Sequence, residues 1–386
     1  MATWDAIVVG GGPAGSTCAR GLVRRGLRVA LVDRARFPRV KLCAGWVSAP
    51  IWDALELAPA DYPHGLWEWH RCHVHYRDAR HTIPCHGWFI RRCQLDDFLL
   101  RRSGAELFLG AAVKQVERGD DGLWRVDLPG GELRAPYLVG AGGTHCPVAR
   151  VVAPARPRRP LGVQELELQA DAGAVARTRL GADGEPELLL FDGLGGYGWN
   201  VPKTDWLNVG CGTLDAHDVL EAWQVTRDHL RDAAHLPPGI EPALDHMKGH
   251  SYYLFEPDHL VGAQRDRALL AGDALGLAHP ITGEGILPAV LSGRIAAEAI
   301  AAGDAAGYPG RLARDPVLAD YRRAHRVLEL VRGRRRQRDD GRSHPPRRGS
   351  ALAGRAVARG FAWMFSGARL PAPRLLDLVL GDGRRP

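Results

Sequence analysis

Lysine is scarce in this 386-residue chain: of 51 Lys plus Arg residues only Lys41, Lys114, Lys203 and Lys248 are lysine, although the formal net charge is +7. An arginine excess spread along the whole chain, with heavy Ala and Gly usage, reflects high-GC codon usage rather than a phosphate-binding face, so no nucleic-acid partner is expected. Long apolar runs are missing too. The longest candidate, from Ala268 to Val290, is interrupted by Asp273, His279 and Glu284, short of the roughly 18 residues a spanning helix needs. Met1 to Asp5 lead straight into apolar Ala6 to Val9. No basic segment followed by an apolar stretch precedes the fold, and a cytoplasmic location is expected. The seven cysteines form an odd set with no CxxC pair, which excludes a disulfide framework and a structural zinc site as expectations. The composition, 45% apolar and 25% charged, is that of a globular chain with room for about two to three domains.

Asp5 to Asp33 read as strand, Gly-rich turn, helix, strand. Ala6-Ile7-Val8-Val9 enters Gly10-Gly11-Gly12-Pro13-Ala14-Gly15, the segment Ser16 to Arg25 has helical spacing, and Arg28 to Val32 is a second strand ending in Asp33. This is G-x-G-x-x-G in its proper setting. Gly10 permits the tight turn, Gly12 lets backbone approach a pyrophosphate, and Gly15 lets helix pack on strand with its N-terminal dipole toward the anion. Asp33 is placed to accept from a ribose 2′-OH and to repel a 2′-phosphate, which fits FAD or NAD rather than NADP.

A second segment decides between these two. Arg267 to Leu270 is an apolar strand that runs into Gly272-Asp273, and Pro280-Ile-Thr-Gly283-Glu284-Gly285-Ile286 opens a helical pattern from Leu287 to Ala301. Asp273 can hold ribityl hydroxyls. A glycine-rich helix start stabilises negative charge on the pyrimidine side of a reduced flavin.

Together the two segments resemble the flavin-binding pattern of the para-hydroxybenzoate hydroxylase fold, and more closely the geranylgeranyl reductase family of FAD-dependent oxidoreductases. Arg39-Val-Lys41-Leu-Cys43-Ala44-Gly45 is similar to that family's K-x-C-G-G segment, with Ala44 for the first Gly. Ile90-Arg91-Arg92-Cys-Gln-Leu95-Asp96 is similar to its R-x-x-F-D segment, with Leu95 for Phe. Gly196-Tyr197-Gly198-Trp199-Asn200-Val201-Pro202-Lys203 resembles its G-Y-x-W-x-F-P-K strand. The likeness spans roughly residues 4 to 330. One departure is Gly140-Ala141-Gly142-Gly143, where flavin hydroxylases commonly carry G-A-D-G.

The resemblance implies an α/β fold: a Rossmann-type FAD-binding domain from 1–66, 88–160 and 251–310, an inserted antiparallel-sheet substrate domain from 67–87 and 161–250, and a C-terminal helical region, 311–386. The short alternating runs in 67–86 and 161–250 allow such a sheet. FAD is the implied cofactor. Gly10, Gly12, Pro13, Ala14, Gly15, Asp33 and Arg34 would hold its ADP half. Arg92 would sit near the phosphates or ribityl chain, and Asp273 with Gly272 on the ribityl chain. Lys41, Ala44, Gly45, Pro280, Gly283, Gly285 and Ile286 would lie about the ring. Cys43 would stand beside the ring as proton donor or pocket wall, and Tyr197, Trp199 and Pro202 would face it as a flat apolar wall for a hydrophobic small molecule. No metal is expected. His64, His70, Cys72, His73, His75, His81 and His86 crowd one stretch, but strand alternation splits them between two faces, and no four ligands converge without help from elsewhere.

Arg332 to Ser350 read as a basic, flexible linker, and Ala351 to Leu380, with Phe361, Trp363, Met364, Phe365 and Leu370, as amphipathic helices. A helical cap over the flavin domain is the favoured reading. A membrane-surface or substrate-channel element is the other, and leaves peripheral membrane association open.

No second G-x-G-x-x-G occurs, so electrons must come from transiently docked NAD(P)H, a reductase or a ferredoxin-like donor. The resemblance implies reduction of a C=C bond in an isoprenoid or natural-product substrate by hydride from flavin N5. The alternative is a monooxygenase in which oxygen reacts at C4a of the reduced flavin. A halogenase is disfavoured, because Tyr197-Gly-Trp199-Asn-Val-Pro202 keeps only the second Trp of that class's W-x-W-x-I-P segment and no lysine lies between Lys41 and Lys114. FAD held as a structural or sensory ligand is the reading from outside enzymology. Either a monomer or a homodimer fits.

Overall fold

The computed structural model describes residues 4–154, 160–178, 184–191, 195–339 and 351–365. Two sheets organise it. The first has six strands in the order Gln264–Arg265, Ala268–Leu270, Tyr137–Gly140, Ala6–Val9, Val29–Asp33, Glu106–Leu109, parallel except for the antiparallel pair at its 264–265 edge. Ala6–Val9 is buried along its whole length, as expected of a central parallel strand covered on both faces. Helices Pro13–Val23 and Ile286–Ala301 cross closely because the contact is made of small residues: a Cβ on Gly293 would lie 2.2 Å from the Ala14 carbonyl oxygen.

The second sheet has eight strands in the order Lys248–Tyr253, Pro160–Gln169, Trp206–Thr213, Gly196–Lys203, Glu187–Leu190, Trp67–Tyr76, Ala79–Phe89, Trp46–Val47. It is antiparallel apart from one parallel pair, Glu187–Leu190 with Trp67–Tyr76. Its strands overrun the divisions drawn from the sequence. Trp46–Val47, within 1–66, pairs with Trp88 and Phe89, and Lys248–Tyr253 runs across the 250/251 boundary. A separate antiparallel meander, Gln115–Arg118, Trp124–Leu128 and Gly131–Ala135, occupies part of 88–160.

The C-terminal region differs from its expected form in two respects. Helix Pro316–Asp339 continues through residues 332–339, because a run of arginines without proline propagates a helix well enough to carry the single Gly333. The rest of the expected linker, 340–350, lies outside the described residues, as does 366–386 with Leu370. Helix Ala351–Phe365 lies against strands Trp67–Tyr76 and Ala79–Phe89, so it caps the substrate sheet and not the flavin domain. Its Ala358, Ala362 and Phe365 join Trp46, Trp69 and Trp199 in one apolar cluster. Aromatic area on that sheet, rather than the aliphatic surface of the parallel sheet, is what this helix buries. Among the described residues no helix is long and apolar enough to cross a membrane.

Candidate active site

Between the two sheets runs a cavity of about 1040 Å³, at the upper end of the range for small-molecule sites. At one end it meets the turn after Ala6–Val9. Gly10 there has φ +116°, and a Cβ on it would stand 2.3 Å from the Ala141 carbonyl oxygen, so only glycine closes this turn. Gly12 precedes helix Pro13–Val23 without a side-chain cap, which leaves the helix's first N–H groups facing the cavity for an anion. Asp33 accepts from Gly11 N–H at 2.7 Å and from Ala35 N–H at 2.8 Å. Its carboxylate therefore ties the turn to the strand end while lining the cavity beside Gly12, Pro13, Ala14 and Arg34.

Arg92 also lines the cavity. Its guanidinium is aimed by Asp96 through a two-point contact at 2.8 and 3.0 Å, and Arg39 reaches the same carboxylate at 3.1 Å. Asp96 is fully buried, so two cations hold the charge that burial would otherwise disfavour.

The middle of the cavity is formed by Gly272, Asp273 and the uncapped N-terminus of helix Ile286–Ala301. Gly283 has φ +70°, and a Cβ there would come 2.3 Å from the Tyr252 hydroxyl. Gly285 and Ile286 complete that edge. Two uncapped helix starts opening on one cavity, with cradles that a Cβ would fill, fit a dinucleotide whose pyrophosphate meets the first helix and whose electron-rich ring edge meets the second.

Lys41, Cys43 and Ala44 also line the cavity. Cys43 Sγ accepts from Gly45 N–H at 3.3 Å, and burial pushes the thiol up from its ordinary value, which keeps it neutral. Three of the cofactor residues named from the sequence lie outside the described lining. Gly15 and Gly45 pack against the carbonyls of Gly10 and Ile90. Pro280 precedes the 282–286 edge without joining it.

Trp46, Val163, Leu188, Tyr197, Trp199 and Phe365 make an apolar wall. Tyr197 donates its hydroxyl to the Thr282 carbonyl, and Trp199 donates its indole N–H to Asn208 Oδ1 at 2.7 Å. Pro202, expected on this wall, is buried in its strand away from the cavity. Strand alternation explains this, since Tyr197 and Trp199 share parity and Pro202 does not.

Sequence reasoning missed the acids at this wall. Glu165 is 1% exposed, its Oε1 has no hydrogen-bond partner among the described residues, and it lines the cavity. Burial raises its pKa to about 8, against an opposing pull from Lys41 and Lys203. Glu284, held by Ser48 Oγ at 3.0 Å, is raised by burial to about 7. His250, on the same lining, is lowered to about 4 by burial and by the nearby Lys41 and Arg92 charges. The signal for Glu165 lay in the strand alternation: it shares parity with Val163 on the cavity side, and with Glu167, which pairs with buried Lys203 at 2.8 Å.

Residues 8–40 match the NAD(P)-binding Rossmann-like domain family. The geranylgeranyl diphosphate reductase of Rhodobacter capsulatus is 29% identical over 367 residues, covering 88% of this chain and 86% of that protein. Digeranylgeranylglycerophospholipid reductase 1 of Methanothermobacter thermautotrophicus is 27% identical over 360 residues, covering 85% and 86%. Among solved structures, a flavin-dependent brominase superposes with a TM-score of 0.66 at 19% identity over 99% of both chains, a likeness of fold.

Proposed function

We propose that this chain, similar to geranylgeranyl reductases at 27–29% identity along most of its length, is an FAD-dependent oxidoreductase that reduces a C=C bond of a hydrophobic isoprenoid or natural-product substrate. FAD held here, reduced by NAD(P)H, a reductase or a ferredoxin-like donor, would supply the hydride. Gly10, Gly12, Pro13, Ala14, Asp33 and Arg34 would hold its ADP half, Arg92 and Asp273 its middle, and Gly283, Gly285 and Ile286 its ring.

The observation that carries the reading is the position of Glu165. An apolar wall formed by Leu188, Tyr197, Trp199 and Phe365 suits an alkyl chain, and a buried carboxyl titrating near 8 borders the same space. Adding hydride to one alkene carbon requires a proton on its neighbour, and a carboxylic acid that is still protonated at neutral pH can deliver it. Lys41 and Lys203 are placed to stabilise the carboxylate that remains. The wall keeps water from competing.

The test is anaerobic. The purified flavoprotein is reduced with dithionite and mixed with geranylgeranyl diphosphate or a geranylgeranyl lipid while the flavin spectrum is recorded. Reoxidation with a product two hydrogens heavier supports reduction. Turnover that requires oxygen and leaves oxygen in the product replaces the reading with a monooxygenase.

A further inference from the structure

The face of the eight-stranded sheet turned away from the cavity carries a second constellation. Glu187 and Leu188 are neighbours on one strand, so their side chains take opposite faces. Leu188 lines the cavity. Glu187, 1% exposed, points behind it. Three imidazoles meet its carboxylate from separate parts of the chain: His75 from strand Trp67–Tyr76, His229 from the last turn of helix Val219–Asp232, and His235 just beyond that helix. Glu187 Oε1 lies 2.7 Å from His75 Nε2, 2.8 Å from His235 Nδ1 and 3.1 Å from His229 Nε2. None of the four residues is on the described lining of the flavin cavity.

Three imidazole nitrogens crowd one buried carboxylate, and His75 Nε2 and His229 Nε2 share its Oε1. His229 Nε2 meets Oε1 at 3.1 Å and His235 Nδ1 meets Oε2 at 2.9 Å with hydrogen-bond geometry. His75 Nε2 lies 2.7 Å from Oε1 as an ion-pair contact, without aligned hydrogen-bond geometry to any group among the described residues. A contact this short calls for a positive charge between nitrogen and oxygen, either a proton on the imidazole or a bound cation. The ligand atoms of His75, Glu187 and His229 all lie within 4.8 Å of one another. Tetrahedral zinc with bonds near 2.0–2.1 Å separates its ligand atoms by about 3.3 Å, so small rotations of these side chains open the required space.

We propose that His75 Nε2, His229 Nε2 and the Glu187 carboxylate bind one divalent ion of the zinc class, with His235 orienting the carboxylate through its second oxygen. Imidazole and carboxylate donors suit zinc or cobalt over magnesium or calcium, which prefer all-oxygen sites. A hydrogen-bonded partner on a ligating carboxylate is the usual arrangement around such ions. The ion would fasten helix Val219–Asp232 to the strand whose next residue, Leu188, forms the wall of the substrate cavity. A more exposed cluster, Glu68, His70 and the half-buried His86, supplies a control.

The experiment uses the full-length flavoprotein, equilibrated with zinc chloride, passed through gel filtration and measured for zinc and FAD. The expected result is about one zinc per chain in the native protein and in His86→Ala, and its loss in His75→Ala/His229→Ala with FAD retained. Cobalt(II) should give the visible d–d bands of a low-coordinate nitrogen and oxygen site in the native protein, and chelation should lower the native melting temperature by several degrees. Two results overturn the proposal: native protein that retains no stoichiometric zinc, or zinc that survives the double substitution. Should that variant fail to fold, native protein without cobalt d–d bands and without a chelator-dependent melting shift overturns it equally.

Discussion

Trp46 donates its indole N–H to the carbonyl of Phe365 at 3.1 Å, joining residues 319 positions apart in sequence. The bond fastens the end of helix Ala351–Phe365 to the edge strand of the substrate sheet, with the rings 4.5 Å apart. Phe365 also meets Tyr197 edge-on at 5.7 Å, so the helix end forms part of the cavity wall. Phe365→Ala should therefore act on substrate and not on cofactor. Removing one buried aromatic ring from an apolar contact of roughly 2–3 kcal/mol should raise KM for a long-chain substrate about 30–150-fold. FAD content should be unchanged. Steady-state kinetics with flavin quantitation checks both, and a parallel loss of FAD would contradict the assignment.

Glu165 should be visible in two pH profiles. With a pKa near 8 it donates a proton at neutral pH, so turnover should fall as pH rises through 8. Glu165→Gln should lose about 100-fold or more in kcat with FAD retained. The stability profile has a definite sign. The folded pKa lies above the ordinary value of 4.5, so the folded state binds more protons between those limits and stability declines as pH rises from about 4.5 to 8. Glu165→Gln removes that contribution, and its melting temperature relative to native should improve steadily across this window. A variant that tracks native protein at every pH would show that Glu165 is ionised in the fold.

Asp33 joins strand end to turn through Gly11 and Ala35. Asp33→Ala removes both acceptors and leaves the Gly11 N–H without its partner, a cost of about 1–3 kcal/mol. FAD affinity, measured by fluorescence on the deflavinated protein, should weaken about 5–150-fold. An unchanged affinity would show that the turn holds its shape without the carboxylate.

These predictions rest on features of unequal legibility in the sequence. Ala6 to Val9, the glycines at 10, 12 and 15, and the Gly272-Asp273 segment declare themselves because a buried parallel strand and a close backbone approach tolerate few residue types. Glu165 does not, since an acid in an alternating strand is ordinarily solvated, and its burial depends on Lys41, Lys203 and Arg92 arriving from three other segments. Strand parity correctly puts His73 and His75 on one face, but Glu187, His229 and His235 reach that face only through tertiary folding. Ala358, Ala362 and Phe365 recur at helical spacing, which signals an apolar stripe and does not name the sheet it covers. Pro202 belongs to the same motif, but the two-residue period of the strand separates it from Tyr197 and Trp199.

Cys43 offers the sharpest division between two proton sources. Its thiol lines the cavity, but burial raises its pKa and its sulfur is occupied as acceptor for Gly45 N–H. A serine hydroxyl accepts the same bond with little change in volume. If Glu165 supplies the proton, Cys43→Ser should keep kcat within about threefold of native, while Glu165→Gln loses the amount given by a missing general acid. The native thiol should also react with iodoacetamide far more slowly at pH 7.5 than a model thiol, because the thiolate is suppressed and shielded. A kcat that collapses in Cys43→Ser and survives in Glu165→Gln would transfer the proton-donor role to the cysteine and leave the carboxyl as a fixed polar wall.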